Sequence, residues 1–138
     1  MAATGKDTVT LMACGDIGPI FEPTEKFVEL IAPVLQQADV RLGQCERTYS
    51  ERGAEPQFTD GPGQQSGSHS RLHPRMAGIW KAAGIDIVSV ASNHAMDWGP
   101  DALVDTIAMF RAMGKQVIGG GRDAEEARKP AIVERNGV

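Results

Sequence analysis

Short β-prone runs alternate with helical stretches along this chain, and that alternation leaves few architectures open. Thr8–Cys14 reads as a buried strand closed by Gly15-Asp16. Glu25–Gln37 carries Phe27, Leu30, Ile31, Val34 and Leu35 at helical spacing, but Pro33 stands inside it. Proline lacks an amide donor and suits a helix's first turn, so two short helical pieces are predicted, the second opened by Pro33. Ala38–Gln44 is a second strand. His73-Pro74 leads into a helix over Arg75–Ala83 stopped by Gly84, and Ile85–Ala91 is the strongest strand of the chain. A polar loop, Ser92–Gly99, precedes a helix that starts at Pro100, shows Leu103, Ile107 and Phe110 on one face, and ends at Gly114. Gln116–Ile118 is a short strand, Gly119–Gly121 a sharp loop and Asp123–Arg128 a helical turn. Pro130–Arg135 reads as a last strand, followed by an Asn136-Gly137 turn. Strands separated by helices predict an α/β fold, a mainly parallel sheet with helical crossovers.

One stretch breaks the alternation. Residues 47–72 are rich in Gly, Ser, Gln, Glu and Pro with almost no apolar periodicity, a long irregular insertion of a kind that is usually functional or disordered. The chain as a whole has the composition of a globular protein, 41% apolar and 23% charged over 138 residues, which excludes a wholly disordered or collagen-like chain. Fourteen basic against eighteen acidic residues give a net charge of −4, so sequence-independent nucleic-acid binding is not expected. No apolar run reaches the roughly 20 residues a bilayer requires, and no membrane anchor is expected in this chain. Two cysteines, Cys14 and Cys45, make no disulfide framework, and the expected compartment is the reducing cytoplasm.

Ligands of open parallel sheets bind beyond the carboxyl ends of the strands. Three polar groups fall there: Asp16 after the first strand, Glu46 after the second, and Asn93, His94 and Asp97 after the third. Oxygen ligands from Asp, Glu and Asn suit hard or borderline divalent ions, and imidazole suits transition metals. Each residue also has a plainer reading. Asp16 and Asp97 could cap helices, Glu46 could be a solvated charge, Asn93 a turn residue and His94 a structural hydrogen-bonder. Cys45 could be a soft ligand, a redox-sensitive thiol or a small buried apolar residue. The Gly119–Gly121 loop before Arg122 could cradle an anion or simply turn the chain. Trp98 could stack on a substrate or shield His94, whereas Trp80 reads as a helix–sheet packing residue. His69 and His73 could line an entrance with Arg71 and Arg75, or be solvated.

The run Asn93-His94-Ala95-Met96-Asp97-Trp98-Gly99 resembles the Asn-His…Asp-Tyr-Gly signature of the CapA family, proteins associated with poly-γ-glutamate capsule biosynthesis and related to calcineurin-like metallophosphoesterases. Gly15-Asp16, then Ala38-Asp39…Gln44-Cys45-Glu46, then Val117–Gly121…Glu126-Ala127…Pro130 agree with the family in order and spacing, so the resemblance runs from about Thr8 to Val138. It implies a metal-dependent, hydrolase-like protein holding a divalent ion (Mn, Zn, Fe or Mg) on Asp16, Glu46 and Asn93. His94 would be the catalytic acid or charge stabiliser and Asp97 its orienting partner. The implied substrate is a phosphoester or other small molecule, or an acidic polymer. The rival readings are a non-catalytic assembly or binding component of a capsule-polymer complex, and an inactive fragment. Two departures stand out. Gly18 occupies the place where the related phosphoesterases carry a histidine, and Gln44-Cys45-Glu46 keeps the acid of that segment but not its asparagine. The resemblance also implies that residues 1–138 are the first half of a four-layer α/β/β/α domain, whose site would be completed by a C-terminal continuation or by a homo-oligomer.

Overall fold

The computed structural model describes residues 8–19, 21–53 and 71–138. Four parallel strands form one sheet: β1 (Leu11–Ile17), β2 (Val40–Cys45), β3 (Ile87–Ser89) and β4 (Gln116–Ile118), in the spatial order of the chain. The helices are α1 (Ala32–Leu35), α2 (Gly78–Ala82), α3 (Gly99–Ala112) and α4 (Ala124–Ala127), with 3₁₀ turns at Thr24–Val28 and Pro74–Ala77. The expected parallel sheet with helical crossovers is therefore present. Crossovers of one hand between successively adjacent strands all fall on the same face. The core agrees: Val28, Leu35, Ile79, Trp80, Ile107 and Phe110 from the helical segments meet Cys45, Val88 and Val90, with Met12, Cys14 and Val117 packed alongside. On the opposite face Leu11 and Ala13 are exposed and Leu42 and Ile118 half-buried.

The centre of this core is aromatic. Tyr49, Trp80 and Phe110 are all fully buried. Phe110 meets Trp80 edge-on at 4.8 Å between ring centroids and Tyr49 at 5.7 Å. The Trp80 indole N–H donates to the Tyr49 hydroxyl at 3.0 Å, so the two buried polar groups satisfy each other. Backbone passes close beneath them at Gly43, where an added Cβ would lie 2.9 Å from both Ile17 Cδ1 and Trp80 Cζ3. Cys45 is buried too. Its thiol donates to the Arg47 carbonyl at 3.0 Å and is pushed up to about 12 by burial, which makes it a packing group rather than a reactive one.

Several local expectations are corrected. β1 does not stop at Gly15. The register slips between Cys14 and Asp16, so Gly15 is the extra residue of a bulge and the strand runs on with Asp16 opposite Gln44 and Ile17 opposite Cys45. The bulge resets the alternation: Ile17 packs on the core and Asp16 is exposed. Pro33 does open the second helical piece, α1, but the tight, short helices bury only Thr24, Val28 and Leu35. Phe27, Leu30, Ile31 and Val34 lie exposed. Pro130–Arg135 forms no strand. The Gln116 side-chain amide takes the place of a ladder partner, donating to the Ile132 carbonyl and accepting from its N–H. The Asn136-Gly137 turn is present, with positive φ at both residues and Arg135 and Val138 exchanging both backbone hydrogen bonds. Residues 54–70 of the irregular insertion lie outside the described residues, and so does His69. The insertion's two ends are not irregular. Thr48, Tyr49, Ser50 and Leu72 are buried, and Tyr49 bridges to Leu72.

The glycine loop after β4 also reads differently in three dimensions. The Arg122 N–H donates to Glu126 Oε2 at 2.8 Å, and the Arg122 and Arg111 side chains bind the same carboxylate. The cradle is filled by the chain's own anion. Gly121 packs so tightly on Glu126 and Ala127 that an added Cβ would clash, which is what a glycine there provides.

Two outcomes follow from the packing. Gly43→Val drives a branched side chain into Trp80 and should cost about 1–3 kcal/mol of stability in urea unfolding, with the denaturant slope unchanged. The Glu126 carboxyl, held at about 2 by the Arg122 N–H and the two guanidinium groups, stabilises the loop fully above its ordinary value of 4.5. That contribution is lost as pH falls through about 2. Amide shifts of Gly119–Arg122 should follow this acid transition, and Glu126→Gln should remove it.

Candidate functional site

The site lies where β2 and β3 end. β2 runs out of Cys45 into Glu46, and β3 runs through Val90 into the turn-rich loop 92–98 that leads to α3. The neighbouring strands hold these exits together: Gln44 Nε2 donates to the Ala91 carbonyl at 3.1 Å, and the Glu46 N–H donates to the Ile17 carbonyl at 3.2 Å.

His94 stands between two carboxylates. Its Nδ1 is 2.7 Å from Asp97 Oδ2, and its Nε2 is 3.4 Å from Glu46 Oε1. All three side chains are about one-fifth exposed, shielded from bulk water yet reachable. The Asp97 contact assigns the Nδ1–H tautomer to the neutral ring and turns Nε2 toward Glu46. Asp97 is brought within reach by a tight turn in which its own N–H bonds the His94 carbonyl at 3.3 Å.

Ser92 locks the arrangement. Its hydroxyl donates to Glu46 Oε2 at 3.0 Å and accepts from the His94 N–H at 3.1 Å. One small residue thus ties the acid of β2 to the backbone of the histidine loop. The residues alone do not single out Ser92. The available signal is its position two residues before His94, where a serine hydroxyl can cap the turn.

The structure therefore joins Glu46, His94 and Asp97, and adds Ser92. Asp16 and Asn93 are exposed and stand outside this hydrogen-bonded set. Asp16 instead edges a cleft of about 440 Å³ at the end of β1, lined also by Gly18, Phe21, Phe27 and Ile79. Gly18 leaves room for a neighbour: an added Cβ would lie 3.2 Å from the Arg47 side chain and from Glu46 Cβ. His73 caps the 3₁₀ turn at Pro74, accepting from the Arg75 N–H, and faces Glu51 at 3.3 Å, while Arg75 pairs with Glu22. Trp80 is a packing residue, as its position implied. Trp98 carries the Arg71 guanidinium on its ring face at 4.6 Å.

The donor set bears on the expected divalent ion. Among the described residues no three His, Cys, Asp or Glu side chains gather as a group that could hold a metal. The Glu46 oxygens and the His94 nitrogens already face one another, Ser92 and Asp97. These residues alone do not form a metal cage. Among the described residues, no helix is long and apolar enough to cross a membrane.

The model of the family described as bacterial capsule synthesis protein PGA_cap matches residues 9–138. A "probable polyglutamine synthesis accessory protein" of Mycobacterium tuberculosis is 35% identical over 63 residues, 46% of this chain and 17% of that protein, in each of two strains. The PGA biosynthesis protein CapA of Bacillus subtilis is 27% identical over 71 residues, 51% of this chain and 19% of that protein. The matched segment thus spans less than a fifth of each relative's length. The match to the family covers the strands, the Glu46 exit and the histidine loop together, and the chain belongs to the PGA_cap bacterial capsule synthesis family, of calcineurin-like α/β fold.

Proposed function

We propose that the chain carries one wall of a hydrolase-like site acting on an acidic capsule polymer or a phosphoester, with His94 as its acid–base group. The observation that supports this most is the Asp97–His94–Glu46 line, with one imidazole nitrogen fixed at 2.7 Å and the other presented beside a carboxylate at a strand-end edge. A ring held at Nδ1 keeps Nε2 in one direction, which is the geometric requirement for proton transfer to or from a bound group. Asp97 acts through His94 by orienting it, and Ser92 holds Glu46 so that the line stays straight. The names of the relatives, which speak of polyglutamine synthesis and PGA biosynthesis, support the polymer as the substrate class.

In this proposal Asp16, Glu46 and Asn93 contribute oxygen donors toward a divalent ion such as Mn, Zn, Fe or Mg, without completing its shell. A second reading, a non-catalytic component that binds polymer or assists its synthesis, draws support from the word "accessory" in the mycobacterial name and from the lack of a gathered donor set among the described residues.

The two readings separate in one experiment. Hydrolysis of a γ-linked glutamate oligomer and of a generic phosphodiester is followed with and without Mn²⁺ or Zn²⁺, for wild type and for His94→Ala, Asp97→Asn and Asp16→Ala. Loss of an acid–base group should lower turnover by about 10²–10⁴-fold in His94→Ala. Asp97→Asn should retain more activity, and Asp16→Ala should lower bound metal. Turnover undiminished in His94→Ala would overturn the catalytic proposal, and oligomer binding without turnover would move the chain to the binding reading.

A further inference from the structure

The loop that carries His94 is gripped from outside at Trp98, the residue after Asp97. Arg71 lies over the indole face, with its guanidinium carbon 4.6 Å from the ring centroid. The same guanidinium donates from Nη1 to the Arg52 carbonyl, with the Gly53 carbonyl at 3.5 Å. Gly53 presses on Trp98 from the backbone side. It has φ +95°, and an added Cβ would sit 2.1 Å from the Trp98 carbonyl oxygen, so no side chain fits there. Arg52 then pairs with Asp105, which also accepts from Ser50 Oγ, and lies 3.7 Å from Asp101. The Tyr49 N–H donates to Thr106 Oγ1 at 2.8 Å. The strap of residues 49–53 is thus fastened along α3, and Arg71 closes it over Trp98.

We infer that Arg71 is a positioning residue for the Asp97–His94 pair, acting through Trp98. The inference rests on the reading of His94 as the working group for its functional meaning, but not for its physical test. The 92–98 loop is a succession of single turns, tied to the β2 exit through Ser92 and stacked upon at Trp98. Such loops take their order from what packs on them. Trp98 is held on its ring by a cation and at its carbonyl by Gly53, and Asp97 is one peptide unit away. A shift at Trp98 therefore moves the carboxylate that orients His94. Arginine suits the role because its planar fork can stack on an indole while donating to carbonyls, which an ammonium does less well.

The test follows the His94 Nδ1–H proton by NMR, assigned by its absence in His94→Gln, together with the Trp98 indole signal. In Arg71→Ala, exchange of the Nδ1–H with solvent should accelerate about tenfold, the scale of losing one partly shielded cation–π contact. The Val88 and Val90 amides should stay in place and report an intact sheet. Arg71→Lys should recover part of the protection. If Arg71→Ala fails to fold, Arg71→Met keeps the apolar stem on the ring and supports the same comparison. Wild-type exchange and an unmoved Trp98 signal in the folded variant would overturn the inference. No step of the test requires turnover, so an inactive chain would defeat the catalytic proposal while leaving this result standing, and the reverse.

Discussion

The hydrogen bond between the Trp80 indole and the Tyr49 hydroxyl, closed over by Phe110, is the contact on which the rest of the molecule depends. Its three residues come from three different places: the exit of β2, the helix before β3 and the helix after it. Each ring is fully buried, and the two polar groups, costly to bury alone, cancel each other. The knot sets how far β2's exit stands from α3. That spacing in turn decides whether Glu46 can meet the loop that leaves β3. The candidate site is a surface consequence of an aromatic core.

Much of this was readable from residues because local chemistry and global fold agree. Pro33 and Pro100 open helices, Gly84 and Gly114 close them, and Ile85–Ala91 could hardly be anything but a central strand. Asn136-Gly137 turned the chain as that pair commonly does. The failures have physical causes. Gly15 looks like a strand's end because glycine usually breaks strands, but a bulge uses the same freedom to continue one. Pro130–Arg135 has the composition of a strand, yet the side chain of Gln116 competes for its backbone and wins. Tyr49 and Leu72, inside a Gly- and Ser-rich stretch, carry no periodicity to mark them as core.

The site divides in the same way. Glu46, His94 and Asp97 could be named from their places at strand ends and from a motif. Their pairing depends on a turn geometry that residue type alone does not specify. Residue type does not mark Ser92, because it ties the Glu46 carboxylate to the His94 backbone and those two groups meet only in the folded chain. Nor does it mark the place of Arg71, whose partners, Trp98 and the carbonyls of residues 52 and 53, meet through long-range folding. The glycine loop after β4 shows the converse. A good anion cradle in sequence is occupied in space by Glu126, so the feature belongs to stability rather than to binding.

The bulge at Gly15 carries a consequence for how this chain tolerates change. A strand's sidedness is a matter of parity, and one surplus residue inverts it. Upstream of Gly15, Met12 and Cys14 point into the core; downstream, that duty passes to Ile17, and Asp16 is released to water. Deleting Gly15 would remove the surplus residue and leave a regular strand in the register already present, with Asp16 still outward opposite Gln44 and Ile17 still inward opposite Cys45. Substitutions at position 15 are mild as well, since an added Cβ there meets nothing within 4 Å. At this edge of the sheet the chain has one residue to spare.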